Sequence, residues 1–186
     1  MPQSEAPLWQ SVFDLSFSGL QMGKPNESVR SILLQIAESP MLLGEPLADK
    51  HMALCAVGAL WLKADFFDAA HEIFQEIPNP TGSLWHGISH RREGDFGNAA
   101  YWFARCGKHP VSVGMATLVP DRNRLPRNFM ESKHTDWDFN HFNRLVEKHA
   151  MDPAVQDTLM HLQEFEWRQT FFWTLGQALG KTIQPG

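Results

Sequence analysis

His86 and His90 stand four residues apart, and Glu93 follows three residues later. On a helix this spacing puts both imidazoles on one face, with the carboxylate one turn further along it. Two imidazoles so placed can ligate one divalent ion such as zinc, with Glu93 as third ligand or as a base. The zinc-protease pattern needs a glutamate directly after the first histidine, and this chain has Gly87 there. The competing reading is a pair of histidines packed and hydrogen-bonded between helices. His71 lies mid-way along an adjacent helical pattern, where stacking would bring it near His86 or His90. His109, just before Pro110, is placed to face the same groove. Arg92 carries a fork that matches a carboxylate or phosphate, although Arg91, Arg92, Glu93 and Asp95 can equally make helix-end ion pairs of little weight. Glu166 shares a helical stripe with Leu159, Leu162 and Trp173. A carboxylate buried there must be paired or protonated, and a histidine or arginine is the expected partner. Trp85, with Trp102, Trp137, Trp167 and Trp173, belongs either to an aromatic pocket or to plain core.

The elements that must position these residues are written twice. Residues 64–80 read ADFFDAAHEIFQEIPNP and residues 94–110 read GDFGNAAYWFARCGKHP. Asp65/Asp95, Phe66/Phe96, Ala69/Ala99, Ala70/Ala100 and Pro80/Pro110 pair at an offset of 30 residues (65 to 95). A fixed period of this size predicts stacked helical hairpins, and hence an all-α fold. At this offset His71 matches Tyr101, and His90 matches Leu60, a position expected to be buried. A polar residue there needs a partner. Helices are expected over 8–20, 27–38 (capped by Asn26), 47–64, 66–77, 82–93, 96–106, 137–149 and from the Asp152-Pro153 cap to about Leu179. Asp65 and Asp95 are expected to cap the second helix of each hairpin. Residues 107–135 hold Gly107, Pro110, Gly114, Pro120 and Pro126 with little periodicity, which predicts an irregular loop. The stretch 165–179 is apolar nearly all round, as in a central buried helix or one that pairs in a homodimer.

Gly87, Gly94, Ala99, Phe103 and Pro110 sit as they do in a tetratricopeptide repeat, which this segment resembles. The resemblance implies helix-turn-helix stacking, with a period shorter than the usual ~34 residues. The string from Ser83 to Asp95, followed by Asn98-Ala99 and Tyr101-Trp102-Phe103, is similar to a family of uncharacterised proteins from bacteria and fungi. That likeness implies that the stretch is the centre of the protein and supplies no reaction.

Bulk properties bound the rest. A chain of 186 residues, 43% hydrophobic, suits a single helical domain with its own core: a two-hairpin repeat over 47–106, the loop, and C-terminal helices over 136–181. Net charge is −5 and no basic run exceeds Arg91-Arg92, which argues against a nucleic-acid partner. Cys55 and Cys106 fall inside apolar helical patterns, as reduced core residues of a cytoplasmic protein do. The segment MPQSEAPLWQ has no signal-peptide pattern, and the apolar run 52–62 is too short for a membrane span. No glycine-rich phosphate loop, dinucleotide fingerprint or nucleophile elbow occurs. Two functions follow. One is a helical-repeat module that binds a peptide or small ligand in a groove lined by helix 82–95. The other is a metal-dependent or acid/base enzyme built on His86, His90 and Glu93.

Overall fold

The computed structural model describes residues 6–44, 46–120 and 135–183, and among them eight α-helices and no strand. They are α1 (Gln10–Phe13), α2 (Arg30–Glu38), α3 (Lys50–Lys63), α4 (Phe67–Gln75), α5 (Pro80–Glu93), α6 (Phe96–Cys106), α7 (Phe139–His149) and α8 (Gln156–Leu179). Short polar side chains start four of them. Asp49, Asn79, Asp95 and Asp138 each accept a hydrogen bond from a first-turn backbone N–H, and Pro80 occupies the first position of α5. Helices α3 and α4 form one hairpin and α5 and α6 the next, with α4 packed on α5. Helix α8 packs on α3, and α7 packs on α6. Among the described residues no helix is long and apolar enough to cross a membrane.

The repeat is real in space, but its period is 29 residues (65 to 94). Asp65 and Gly94 both take a positive φ, of 63° and 92°. The next residues, Phe66 and Asp95, have φ/ψ of −89°/77° and −88°/76° at the start of α4 and α6. Ala70 and Ala99 are both fully buried, and so nearly are Phe74 and Phe103. At the same offset, a Cβ on Gly58 would come within 2.5 Å of the Phe74 ring and one on Gly87 within 2.7 Å of the Phe103 ring. In each hairpin, then, a glycine lets the first helix approach an aromatic ring of the second. The offset of 30 arises because Phe66-Phe67 and Ala69-Ala70 are doublets, which align almost as well one residue out of step. His90 therefore corresponds to Trp61, and His71 to Ala100.

Asp65 does not cap α4. Its carboxylate pairs with buried Arg92, and the N-cap position is taken by Phe66 without a side-chain hydrogen bond. The expected helix over 8–20 is one turn only, although Trp9, Phe13, Phe17 and Leu20 are all buried. The chain beyond Phe13 uses its carbonyls elsewhere: Gly19 accepts from Arg92 Nη1, and Leu20 accepts from Gln163 Nε2 at 3.1 Å. Helix α8 begins at Gln156, because the Asp152 carboxylate instead accepts from the Ala154 N–H in a local turn. Of the irregular region, residues 110–112 and 115–118 form 3₁₀ turns. Residues 121–134, with Pro126 and His134, lie outside the described residues.

Helix α5 is enclosed from Thr81 to Arg92, a polar helix in an interior position. Its two arginines are fully buried and each has a carboxylate. Arg91 grips Glu166 with both arms, and Trp137 Nε1 donates to the same carboxylate at 2.8 Å. Arg92 holds Asp65 and lies 4.0 Å over the Phe17 ring. Lys63, one repeat before Arg92, pairs with Glu164. In α8, Phe165, Trp167, Phe171 and Leu175 are buried within this one chain, so its apolar second half is the central buried helix.

The close approaches give a contrast in stability. Gly58→Ala should lower unfolding free energy in urea by about 1–3 kcal/mol, since the Phe74 ring is itself packed and cannot yield. Gly97→Ala, whose Cβ meets nothing nearer than 3.8 Å, should instead raise it by up to about 1 kcal/mol through helix propensity. Equal effects would contradict the packing described.

Candidate metal centre

Three imidazoles meet where α4, α5 and α6 come together. Helix α4 supplies His71, and α5 supplies His86 and His90 one turn apart. One nitrogen of each ring lies within 4.8 Å of the other two. The ring centroids are 4.4 Å apart for His71–His86, 4.8 Å for His86–His90 and 5.2 Å for His71–His90. Tetrahedral bonds of ~2.0–2.1 Å would hold the nitrogens at roughly 3.3 Å, within reach of small side-chain rotations. Phe67 of α4 and Trp102 of α6 wall the cluster; the Trp102 ring stacks on His86 at 4.0 Å.

His86 is 2% exposed, and among the described residues neither of its ring nitrogens has a hydrogen-bond partner. A buried polar group left in this state costs about 1–3 kcal/mol, and most buried polar groups avoid that cost by pairing. Burial, and then the neighbouring His71 and His90, push its pKa down to about 3. His71 is lowered in the same direction, first by burial and then by His90. At neutral pH both are uncharged imidazoles, the form that ligates metals.

His90 differs from His86 in being fully partnered. Its Nδ1 lies 3.0 Å from Glu93 Oε2, and its Nε2 lies 3.1 Å from the Asn98 side-chain nitrogen. Since the Asn98 amide donates to Nε2, Nδ1 carries the proton and donates to Glu93. A carboxylate behind an imidazole is the arrangement that fixes the orientation of a metal-ligating histidine. His71 is partly exposed and the Glu93 side chain is 45% exposed, so the notch opens to solvent along this edge. His90, Glu93 and Asp95 make a second group of donor atoms that also lie within 4.8 Å of one another.

The cluster differs in membership from the one the spacing suggests. The third donor beside His86 and His90 is His71, with Glu93 standing behind His90. Helix α5 offers no open groove wall, because its neighbours cover it; the accessible feature is the notch at its C-terminal half. Arg92 is not an anion clamp, since its guanidinium is spent on Asp65 and the Gly19 carbonyl. Glu166 is held by Arg91 and Trp137, away from the histidines. Trp85 is core, with Nε1 donating to Thr174 Oγ1 at 3.1 Å. His109 lies apart from the cluster, its Nε2 3.0 Å from Thr81 Oγ1 and its Nδ1 accepting from the Val111 N–H. Burial takes its pKa down to about 4. Asn98 and Trp102 were the residues that spacing could not place, because their roles depend on how α6 packs on α5. A separate cavity of about 400 Å³, lined by Phe103, Lys108, Asp136, Trp137 and Phe139 among others, holds none of these histidines.

No protein-family model, no curated protein and no solved structure matches this chain. The site is therefore read from its own geometry.

Burial of neutral His86 makes stability depend on pH. In the unfolded chain it takes up a proton as pH falls past 6.5, but in the folded protein only near pH 3. Unfolding therefore binds a proton throughout that window, and stability falls as the pH is lowered through it. In metal-free protein, His86→Phe should flatten this slope by about 1.4 kcal/mol per pH unit between pH 6 and 4. A slope unchanged in urea titrations would show that His86 is already satisfied or charged.

Proposed function

We propose that this protein binds one divalent transition-metal ion, zinc by the character of its donors, through His71, His86 and His90. The observation that carries the reading is His86, a buried neutral imidazole with no partner, facing two other imidazoles on the open side of a notch. Nitrogen donors of this kind suit zinc and its neighbours better than calcium or magnesium. Glu93, bonded to His90 Nδ1, supports the reading as the group that orients a ligand. Three protein donors leave a tetrahedral ion one ligand short, which is the pattern of sites that engage an exogenous molecule. The walls of Phe67 and Trp102 favour a small ligand with an apolar part, brought to the ion through the exposed edge. The protein is then a metal-dependent binding module or enzyme on a helical scaffold. We read that scaffold as a short tetratricopeptide-like array, which the 29-residue recurrence (65 to 94) of glycine-to-ring contacts supports. Two free, buried cysteines support a reducing, cytoplasmic setting.

Zinc titration of chelator-treated protein tests this. One ion per chain should bind, and zinc at about one hundred times Kd should add about 2.7 kcal/mol of stability. His86→Ala and His71→Ala should each abolish the stabilisation, while the exposed His51→Ala should keep it. Stabilisation that persists in His86→Ala, or none in the wild type, would remove the proposal.

A further inference from the structure

We infer that His90, Glu93 and Asp95 form a second, weaker cation site at the mouth of the imidazole cluster, where a divalent ion lands before it moves inward. The inference rests on reading the cluster as a metal site. Its geometric basis is that His90 belongs to both groups of donors, each with its atoms within 4.8 Å of one another. The inner group is buried apart from the edge of His71, while Glu93 and Asp95 are exposed. Directly behind the shared His90 lies His86, buried and unpartnered, which points to a ligand at the inner end of the path.

The two groups suit the two stages of uptake. An ion in solution carries its waters, and carboxylates at a surface can take it with few of them lost. Three imidazoles in a buried notch require most of that shell to be shed, and reward it with stronger nitrogen bonds to zinc-like ions. The outer site is weak for a definite reason. Asp95 already accepts the Asn98 N–H at 3.0 Å as the cap of α6, and the positive end of that helix opposes a cation. Charge around the notch draws cations in: Asp68, Glu72 and Glu93 all act on His71. When an ion takes His90 Nδ1 in the outer site, the ring proton passes through water to Nε2, so the imidazole stays neutral and Nε2 gives up the bond it accepts from Asn98.

Stopped-flow loading of chelator-treated protein with Co²⁺, followed by its visible absorption, tests the order of events. Asp95→Asn keeps a capping side chain on α6 and lies outside the inner cluster. It should reach the wild-type spectrum at one tightly bound ion per chain, but about tenfold more slowly at low ionic strength, a change within the range of electrostatic capture. Glu38→Gln makes the same charge change on α2, which packs on α3 and not on the helices of the notch, and should load close to the wild-type rate. Wild-type loading in Asp95→Asn, or equal slowing in Glu38→Gln, would overturn the outer site while leaving the inner one standing. A wild-type chain that takes up no Co²⁺ overturns both, and the missing spectrum distinguishes that failure from the first.

Discussion

The structure depends on burying Arg91 and Arg92 side by side in one helix. Two adjacent guanidiniums cannot enter a protein interior unless each meets a charge, and adjacent residues of a helix point about 100° apart. The two carboxylates must therefore come from different directions. Glu166 reaches Arg91 from α8, and Asp65 reaches Arg92 from the turn between α3 and α4. Each pair ties α5 to an element distant in sequence. Losing one member would strand a buried charge, typically at ~3–5 kcal/mol. The Asp65 pairing also explains the turn. Asp65 takes a left-handed backbone that Gly94 adopts without strain in the second hairpin, and its carboxylate goes to Arg92 in place of capping α4.

With both arginines directed into the core, the remaining polar side chains of α5 have their directions set. His86 and His90 are one turn apart and face α4 and α6, where Trp102 covers one imidazole and Phe67 borders the other. The same close packing that Gly87 allows against Phe103 brings α6 against α5, and among the described residues neither nitrogen of His86 finds a hydrogen-bond partner. The orphaned imidazole is thus a consequence of how α5 is seated. A metal ion would resolve it, and would link α4 to α5 as the ion pairs link α5 to α8.

Much of the fold was legible in the residues. Helical spacing locates α3, α5, α6 and α7 to within a few residues, and Asp95 caps α6 as expected, while Asp49, Asn79 and Asp138 cap the other three. The failures share a physical cause. Residues 8–20 carry a helical apolar stripe, yet the chain unwinds after Phe13 because Arg92 and Gln163 take its carbonyls, and both partners lie far away in sequence. The repeat was visible but one residue out of step, because doubled phenylalanines and alanines fit either offset until burial selects Ala70 and Ala99. The pair His86/His90 was readable from its spacing. Stacking of the hairpins was enough to expect His71 nearby, but not that it would join the pair ahead of Glu93, since that requires knowing the rotation of α4 against α5. Nor could the sequence tell that Glu93 would bond to His90 in place of standing as an independent ligand.

The most direct measurement is X-ray absorption at the metal edge of zinc-loaded protein. Three imidazole nitrogens at ~2.0–2.1 Å, with the multiple scattering of their rings and one lighter oxygen neighbour, is the expected shell. In His86→Ala the metal should be lost. A shell of oxygens alone, or one containing sulfur from Cys55 or Cys106, would place the ion elsewhere and contradict the account.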